Sequence, residues 1–113
     1  FLKSVRDAKG RPLEIHRIHQ PDPILITAEE SQYVDSVDGT LPRNAGDRMA
    51  ASYVNFYIAN GGIVMPVFDD IHDRPAYEQM RRLFPGREVV RVPAREILLG
   101  GGNVHCITQQ QPA

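Results

Sequence analysis

Two apolar segments that meet at a glycine pair constrain the fold of this chain more than any other feature. The first, residues 51–59, is rich in aromatic and β-branched side chains, and the second, residues 63–68, is almost continuously apolar. Between them, Asn60-Gly61-Gly62 has the composition of a tight turn. A short, nearly continuous apolar run is typical of a strand buried on both faces. The sequence therefore predicts a strand, a tight turn and a buried strand over residues 51–68.

The residues that follow predict a helix and a further strand. Asp73 is the candidate N-cap of the helix and Pro75 fits its first turn, while Pro85-Gly86 ends it. Its buried face is predicted from four apolar side chains at helical spacing: Tyr77, Met80, Leu83 and Phe84. Three more elements are predicted beyond it: a strand over 88–92, a short helix over 94–99 and a last strand over 104–109.

The first half of the chain has weaker patterns. Leu2 and Val5 are three residues apart, which predicts the last turns of a helix that begins upstream of the chain. Residues 13–19 alternate imperfectly and predict a partly buried strand, ended by prolines. Residues 24–33 leave helix and strand open, and residues 34–47 predict a long loop because they are rich in Gly, Pro, Asn and Asp.

Composition excludes several classes of function. The chain has 113 residues, 42% of them hydrophobic, and a net charge of −1, which predicts one small globular domain. No basic block exceeds Arg81-Arg82, so we expect no nucleic-acid partner, and no apolar run is long enough for a membrane span. The single cysteine cannot form an internal disulfide, which favours the reducing cytoplasm. The chain does not begin with Met, which suits either a fragment of a longer protein or a processed chain.

That cysteine lies in the most informative stretch, residues 100–111, which reads G-G-G-N-V-H-C-I-T-Q-Q-Q. Three consecutive glycines indicate positive φ angles or a backbone that approaches another group closely. On spacing alone, two interpretations stay open for Cys106. It is either a buried, inert thiol after a simple turn, or a nucleophile presented by that turn.

The stretch resembles the C-terminal nucleophile motif of agmatine deiminases, in the guanidine-modifying superfamily that also holds the arginine and peptidylarginine deiminases. The resemblance extends upstream over four segments: Asp38-Gly39, residues 51–60 (A-S-Y-V-N-F-Y-I-A-N), residues 61–70 (G-G-I-V-M-P-V-F-D-D) and residues 84–87 (F-P-G-R). Members of that family are much longer, so the resemblance implies that this chain is their C-terminal part.

The resemblance also implies a fold. The superfamily repeats a ββαβ module five times around a pseudo-symmetry axis, as an α/β propeller of the pentein type. We therefore expect an α/β (α+β) domain over residues 1–113 that holds about one and a half modules. Residues 1–47 would form a partial module and loop, and residues 48–113 the last module with the nucleophile motif.

The chemistry that the resemblance implies centres on Cys106. Its thiolate would attack the guanidinium carbon of agmatine, ammonia would leave, and water would hydrolyse the covalent thiouronium to N-carbamoylputrescine, a step towards putrescine. A bound cation beside the sulfur would favour the thiolate. Gly101, Gly102 and Asn103 are candidate substrate-binding residues, because bare backbone can approach a flat substrate. No cofactor is expected.

The family's general acid/base and its guanidinium-binding carboxylates come mostly from segments without a counterpart in this chain. We therefore expect the isolated chain to be inactive. His105 neighbours Cys106, but on the predicted strand the two would point to opposite faces, which favours a structural or supporting role for His105.

Three other groups of polar residues are candidates for a structural or functional role. A cluster of oxygen and imidazole groups follows the buried strand and favours a loop and helix cap over a metal site: Asp69, Asp70, His72 and Asp73. Tyr53, Asn55 and Tyr57 would share one strand face and serve packing, with Asn55 satisfied by backbone. Asp38 and Gly39 are candidates for the rim of the active site.

Two alternatives to an agmatine deiminase stay open at this point. The chain could belong to another peptidylarginine-type deiminase or to an amidinotransferase that uses the same thiol. It could also be a catalytically silent module. A propeller fragment exposes strand edges and module faces, so we expect a homo-oligomer or packing against missing N-terminal modules.

Overall fold

The computed structural model describes residues 1–112, which contain a three-stranded mixed sheet with one helix crossing over it. The strands are β1 (Tyr57–Ile58), β2 (Gly62–Val67) and β3 (Glu88–Pro93), in that spatial order. β1 pairs antiparallel with β2, and β2 pairs parallel with β3. Helices α1 (Asp73–Leu83) and α2 (Arg95–Leu99) follow β2 and β3. This α/β order confirms the predicted strand, strand, helix, strand sequence.

The hairpin between β1 and β2 closes on the predicted glycine turn. Ala59 N–H donates to the carbonyl of Gly62 at 2.8 Å, so the chain reverses over two residues. Beyond the turn, Ile63 and Met65 of β2 are fully buried. The predicted buried strand is therefore confirmed, whereas the predicted strand over 51–59 is confirmed only for Tyr57–Ile58.

Helix α1 packs its apolar face on the sheet. Ala76 and Met80 are fully buried, and Tyr77 and Phe84 pack partly buried against the same core. Parallel strands need a crossover connection of a dozen or more residues, and α1 supplies it between β2 and β3. The main core consists of six buried side chains: Tyr53, Ile63, Met65, Ala76, Met80 and Val89.

The predicted N-cap role of Asp73 is wrong by one position. His72 occupies the N-cap and Asp73 is the first helical residue, with no side-chain cap bond at the helix start. The Asp73 carboxylate instead accepts hydrogen bonds from the Tyr53 hydroxyl at 2.7 Å and from the backbone N–H of Phe68 at 3.1 Å. Asp73 thus ties the end of β2 to the start of α1 and satisfies the hydroxyl of a buried tyrosine.

The described residues 1–52 lie outside the three-stranded sheet and form two isolated antiparallel bridges, Arg6 with Pro12 and Leu25 with Arg48. Of the described residues before position 53, only Leu2–Ser4 and Glu30–Gln32 are helical, both as 3-10 turns, so the predicted helix end at residues 1–8 is wrong. The predicted strand over 13–19 is also wrong, because the segment runs along α1. There Gln79 donates its side-chain amide to the carbonyl of Arg17 at 2.8 Å.

A second, smaller core fixes α2 on the loop region. Ile26, Met49 and Leu98 are buried together. The Arg95 guanidinium adds an ion pair with Glu30, at 2.6 Å and 2.8 Å. Residues 34–47 carry no helix or strand, which confirms the predicted loop. Within the described residues, no helix has the length and apolarity that crossing a bilayer requires.

Candidate active site

The triple-glycine segment makes a tight turn directly after α2. Gly101 has a φ of 87°, the left-handed region that glycine adopts readily. The Arg43 guanidinium lies against it, so that a Cβ built on Gly101 would come within 2.0 Å of Arg43 Nη2. Arg43 Nε also donates to the carbonyl of Leu99 at 3.3 Å. Both indications of a glycine run, positive φ and close approach, are therefore met at Gly101.

Cys106 lies in a 3-10 turn, His105–Ile107, and the predicted last strand over 104–109 is wrong. The turn closes when the N–H groups of Cys106 and Ile107 donate to the carbonyl of Asn103 at 2.9 Å and 3.3 Å. A 3-10 helix has three residues per turn, so neighbours do not point to opposite faces. The strand-based reason for excluding His105 as a partner of Cys106 is thus wrong, and its supporting role stays a prediction. His105 is exposed.

The Cys106 thiol is exposed and is held by one side chain. Asn55 Nδ2 donates to Cys106 Sγ at 3.3 Å. A Cβ built on Gly102 would lie 2.9 Å from the Cys106 Cβ and 3.5 Å from its sulfur. Of the two interpretations of this cysteine, the buried and inert thiol does not match the structure of residues 1–112.

Asn55 reaches the cysteine because residues 52–55 form a turn where the sequence predicts a strand. Asn55 N–H donates to the carbonyl of Ser52 at 3.2 Å, and the chain bends so that Tyr53 enters the core while Asn55 faces the 3-10 turn. Asn55 Oδ1 then accepts the backbone N–H of His105 at 2.8 Å. The prediction that backbone satisfies Asn55 is confirmed for its oxygen, whereas its nitrogen contacts the sulfur.

These contacts lower the pKa of the Cys106 thiol below its usual range. The largest cause is the hydrogen bond from the Asn55 side chain, followed by the backbone amide of Asn103. Both place N–H dipoles next to the sulfur, and such donors favour the charged form of an acid. A thiolate is the nucleophilic form of cysteine. The described residues thus present an exposed thiol whose pKa is lowered.

The three candidate substrate-binding residues occupy different surroundings. A Cβ added to Gly102 would meet the Cys106 side chain, and one added to Gly101 would meet the Arg43 guanidinium. Asn103 is fully buried, and its Oδ1 accepts the N–H of Val104 at 2.8 Å. Its Nδ2 is the one buried side-chain nitrogen or oxygen in residues 1–112 without a hydrogen-bond partner. The substrate contacts of Gly101, Gly102 and Asn103 stay predictions.

The other polar candidates have structural contacts. Asp70 accepts the N–H of His72 at 2.8 Å and that of Asp22 at 3.0 Å, which fixes the loop before α1. His72 stacks on His19, with ring centroids 5.1 Å apart. Across the described part of the chain, no three His, Cys, Asp or Glu side chains are grouped to hold a metal ion.

Sequence reasoning missed Asn55 and Arg43 as partners of the cysteine turn. Asn55 is 51 residues from Cys106 and Arg43 is 56 residues from Leu99. No local pattern marks either contact. The only available signal is that Asn55 is a polar residue in an otherwise apolar segment, next to residues that resemble the deiminase family.

A comparison with protein families and known relatives identifies the family. The sequence profile of the Porphyromonas-type peptidyl-arginine deiminase family matches residues 1–112. The chain belongs to this family. Its relatives there include a Latilactobacillus sakei protein with the proposed name agmatine deiminase, 66% identical over 113 residues. The agmatine deiminase of Pseudomonas aeruginosa is 58% identical over 112 residues, which are 99% of this chain.

A solved structure shows the same backbone. The agmatine deiminase of Enterococcus faecalis is 44% identical and superimposes with a TM-score of 0.88 over 98% of this chain. The chain spans less than a third of these family members: 31% of the L. sakei protein, 30% of the P. aeruginosa protein and 30% of the E. faecalis chain.

Proposed function

We propose that this chain is the C-terminal part of an agmatine deiminase in which Cys106 is the nucleophile. The observation that carries the proposal is the exposed sulfur of Cys106 at 3.3 Å from the Asn55 amide. The names of relatives at 58% and 66% identity support agmatine as the substrate. The lowered pKa of the thiol supports a nucleophilic role over a structural one.

The proposed reaction has two steps. The Cys106 thiolate adds to the guanidinium carbon of agmatine, and the C–N bond to one terminal nitrogen breaks, which releases that nitrogen as ammonia after protonation. The alkylthiouronium that remains is attacked by water, the C–S bond breaks, and the thiolate leaves. The products are N-carbamoylputrescine and ammonia, and the thiolate is regenerated.

The remaining parts of the proposed site come partly from this chain and partly from the rest of the full-length protein. Within the chain, Gly101, Gly102 and Asn103 would line the space in front of the sulfur. The general acid/base and the carboxylates that hold the guanidinium would come from the part of the protein outside this chain. We place the chain as the last module and part of the preceding one in a pentein-type propeller, in a cytoplasmic enzyme of putrescine formation.

The test uses the full-length protein and measures ammonia release from agmatine. Cys106→Ala is expected to abolish turnover, and Cys106→Ser to reduce it to the same background, because neither side chain provides a thiolate. Thermal unfolding should be almost unchanged in both variants, since the Cys106 side chain is exposed. Asn60→Ala, at the exposed tip of the β1–β2 hairpin, is the control and should retain turnover.

Substrate choice is tested in the same assay with free arginine and a peptide that contains arginine. Agmatine is expected to be turned over in preference to both. Mass spectrometry of the enzyme during turnover should show an adduct equal to agmatine less one ammonia. Full activity in Cys106→Ala would refute the nucleophile assignment, and a preference for arginine or for the peptide would refute the substrate assignment.

A further inference from the structure

We propose that Asn55 is a positioning residue of this site, whose side-chain amide holds the Cys106 sulfur in its attacking geometry and stabilises its thiolate. The inference rests on the proposed role of Cys106 and assigns a second residue to it. It concerns an asparagine that lies on a different segment, 51 residues away in sequence.

The amide of Asn55 is oriented by two different groups of the cysteine turn. Its oxygen accepts the N–H of His105 at 2.8 Å, and its nitrogen donates to the sulfur of Cys106 at 3.3 Å. An amide has one acceptor end and one donor end, so the bond from His105 determines which end faces the sulfur. The backbone of one residue thus aims an N–H group at the side chain of the next.

This arrangement can serve both protonation states of the sulfur. In the thiol state, the S–H group can donate to Asn55 Oδ1, which lies 3.8 Å from the sulfur. Of the two ends of the Asn55 amide, only the Nδ2–H donor interacts favourably with the thiolate, and it lies closer to the sulfur than Oδ1. A hydrogen bond to the charged form favours that form, so the amide shifts the equilibrium towards the thiolate.

The turn itself does not depend on the Asn55 side chain alone. The N–H of His105 also reaches the backbone carbonyl of Asn55 at 3.2 Å, and Asn103 O closes the turn independently. Removal of the side chain therefore leaves the N–H of His105 with an acceptor. Variants of the Asn55 side chain can therefore remove its contact with the sulfur while the turn keeps its backbone hydrogen bonds.

The experiment compares Asn55→Asp with Asn55→Ala and with a matched control, Asn60→Asp, in the full-length protein. Aspartate keeps the oxygen that accepts from His105 but removes the N–H donor and adds a negative charge. Asn60 lies at the exposed tip of the β1–β2 hairpin, so Asn60→Asp makes the same chemical change away from the sulfur. The rate of Cys106 alkylation by iodoacetamide is followed against pH, with the modified peptide identified by mass spectrometry.

We expect Asn55→Asp to raise the thiol pKa by about one unit or more, because a donor is replaced by a like charge. Alkylation at neutral pH should then fall about tenfold, since the thiolate is the reacting form. Asn55→Ala should give a smaller shift in the same direction, and Asn60→Asp should match the unmodified protein. His105 is the adjacent ionisable residue, so the series is repeated with His105→Gln.

Identical alkylation profiles for Asn55→Asp, Asn55→Ala and the unmodified protein would overturn the inference. If the Asn55 variants fail to fold, the thiol pKa is measured in the unmodified protein instead. It is obtained from the pH dependence of thiolate absorbance, with Cys106→Ser subtracted as the blank. An apparent pKa at or above the ordinary value of about 8.5 would overturn the inference without any Asn55 variant.

The outcomes also separate this inference from the proposed function. If the thiol pKa depends on Asn55 but the protein releases no ammonia from agmatine, the proposed function fails and the role of Asn55 stands. If the protein turns over agmatine and the Asn55 variants keep normal thiol titration and a normal pH profile of kcat, only the role of Asn55 fails.

Discussion

At the scale of single residues, Gly101 is constrained twice. Its φ of 87° favours glycine, and the guanidinium of Arg43 occupies the position where a side chain would begin. These constraints are independent, since one concerns the backbone of the turn and the other a residue from the long loop. Gly101 therefore joins the loop over 34–47 to the turn that leads to Cys106.

Replacing Gly101 by Ala is expected to destabilise the full-length protein by about 1–2 kcal/mol, because an L-residue in the left-handed region carries that penalty and Arg43 must also move. Urea-induced unfolding measures the loss. Gly86→Ala is the control, as its Cβ would meet no atom within 4 Å. It should leave stability unchanged or raise it by about 0.5 kcal/mol. Equal effects of the two substitutions would contradict the double constraint.

At the scale of elements, two carboxylates link neighbouring segments of the chain. Glu30 connects the 3-10 turn Glu30–Gln32 to α2 through Arg95, and Asp73 connects β2 to α1. Thr27 and Glu30 also bond each other's backbone N–H, at 2.8 Å and 3.1 Å, which is the reciprocal pattern of a capping box. The lowered pKa of Glu30 shows that its contact with Arg95 favours the ionised carboxylate.

The ion pair between Glu30 and Arg95 should weaken in acid. The hydrogen bond from Arg95, with help from the Thr27 N–H, lowers the pKa of Glu30 from 4.5 to about 2. Because the folded value lies below the unfolded one, the stabilisation is complete above pH 4.5 and is lost as pH falls towards 2. The stability difference between the unmodified protein and Glu30→Gln should therefore shrink from about pH 6 to about pH 3 in urea unfolding.

A double-mutant cycle provides the control for this pair. In an Arg95→Gln background, Glu30→Gln should have little further effect, since its main partner is gone. The difference should also decrease at high salt, because the Arg95 side chain is 41% exposed. A pH-independent difference would contradict the assignment of the effect to the ion pair.

Asp73→Ala tests the link between β2 and α1 and should lower the free energy of unfolding by about 2–3 kcal/mol. The hydroxyl of the fully buried Tyr53 and the N–H of Phe68 would lose their acceptor. Adding Tyr53→Phe to this variant should recover part of the loss, as the unpaired hydroxyl disappears. Thermal and urea unfolding measure both changes. Arg74→Ala, an exposed neighbour, should change stability by less than about 0.5 kcal/mol. Failure of Tyr53→Phe to recover stability would contradict the role of the hydroxyl.

The elements that the sequence predicts well are those with local causes. The hairpin turn at Asn60-Gly61-Gly62, the buried strand β2 and the amphipathic helix α1 follow from composition and period alone. Segments 13–19, 51–56 and 104–109 also favour strands by composition, but a strand needs a neighbouring edge. In this chain Gln79 of α1 binds the carbonyl of Arg17, and the N–H of His105 binds the carbonyl of Asn55. Residues 105–107 form a 3-10 turn instead of a strand. For the same reason the motif marks Cys106 as a candidate from the sequence alone, whereas its contact with Asn55 could not be predicted.

At the scale of the whole molecule, the chain is more extended than an independent domain. Its radius of gyration is 16.6 Å, whereas a compact domain of this length has about 13 Å. Large apolar side chains also remain exposed: Leu41 is 81% exposed, Ile71 79% and Ile107 67%. Such surface is usually covered by other protein, and the relatives supply more than twice this length of further chain.

The isolated chain is therefore expected to self-associate in a concentration-dependent manner and to bind a hydrophobic dye such as ANS, because its apolar surface lacks a cover. Size-exclusion chromatography with light scattering measures the association. The full-length protein is the control and should bind less dye per chain. A monomeric isolated chain that binds no dye would show that the exposed side chains need no partner. Ammonia release by the isolated chain would contradict the proposal that the general base lies elsewhere.

The contact between Asn55 and Cys106 also has a consequence for the life of the polypeptide. On the ribosome, the asparagine emerges about fifty residues before the sulfur, and neither can influence the other until their two turns dock. In an unfolded chain, the thiol of Cys106 is therefore expected to have the ordinary reactivity of a cysteine towards electrophiles. With the proposed role of Asn55, the thiol gains its reactivity only when tertiary structure brings the two turns together.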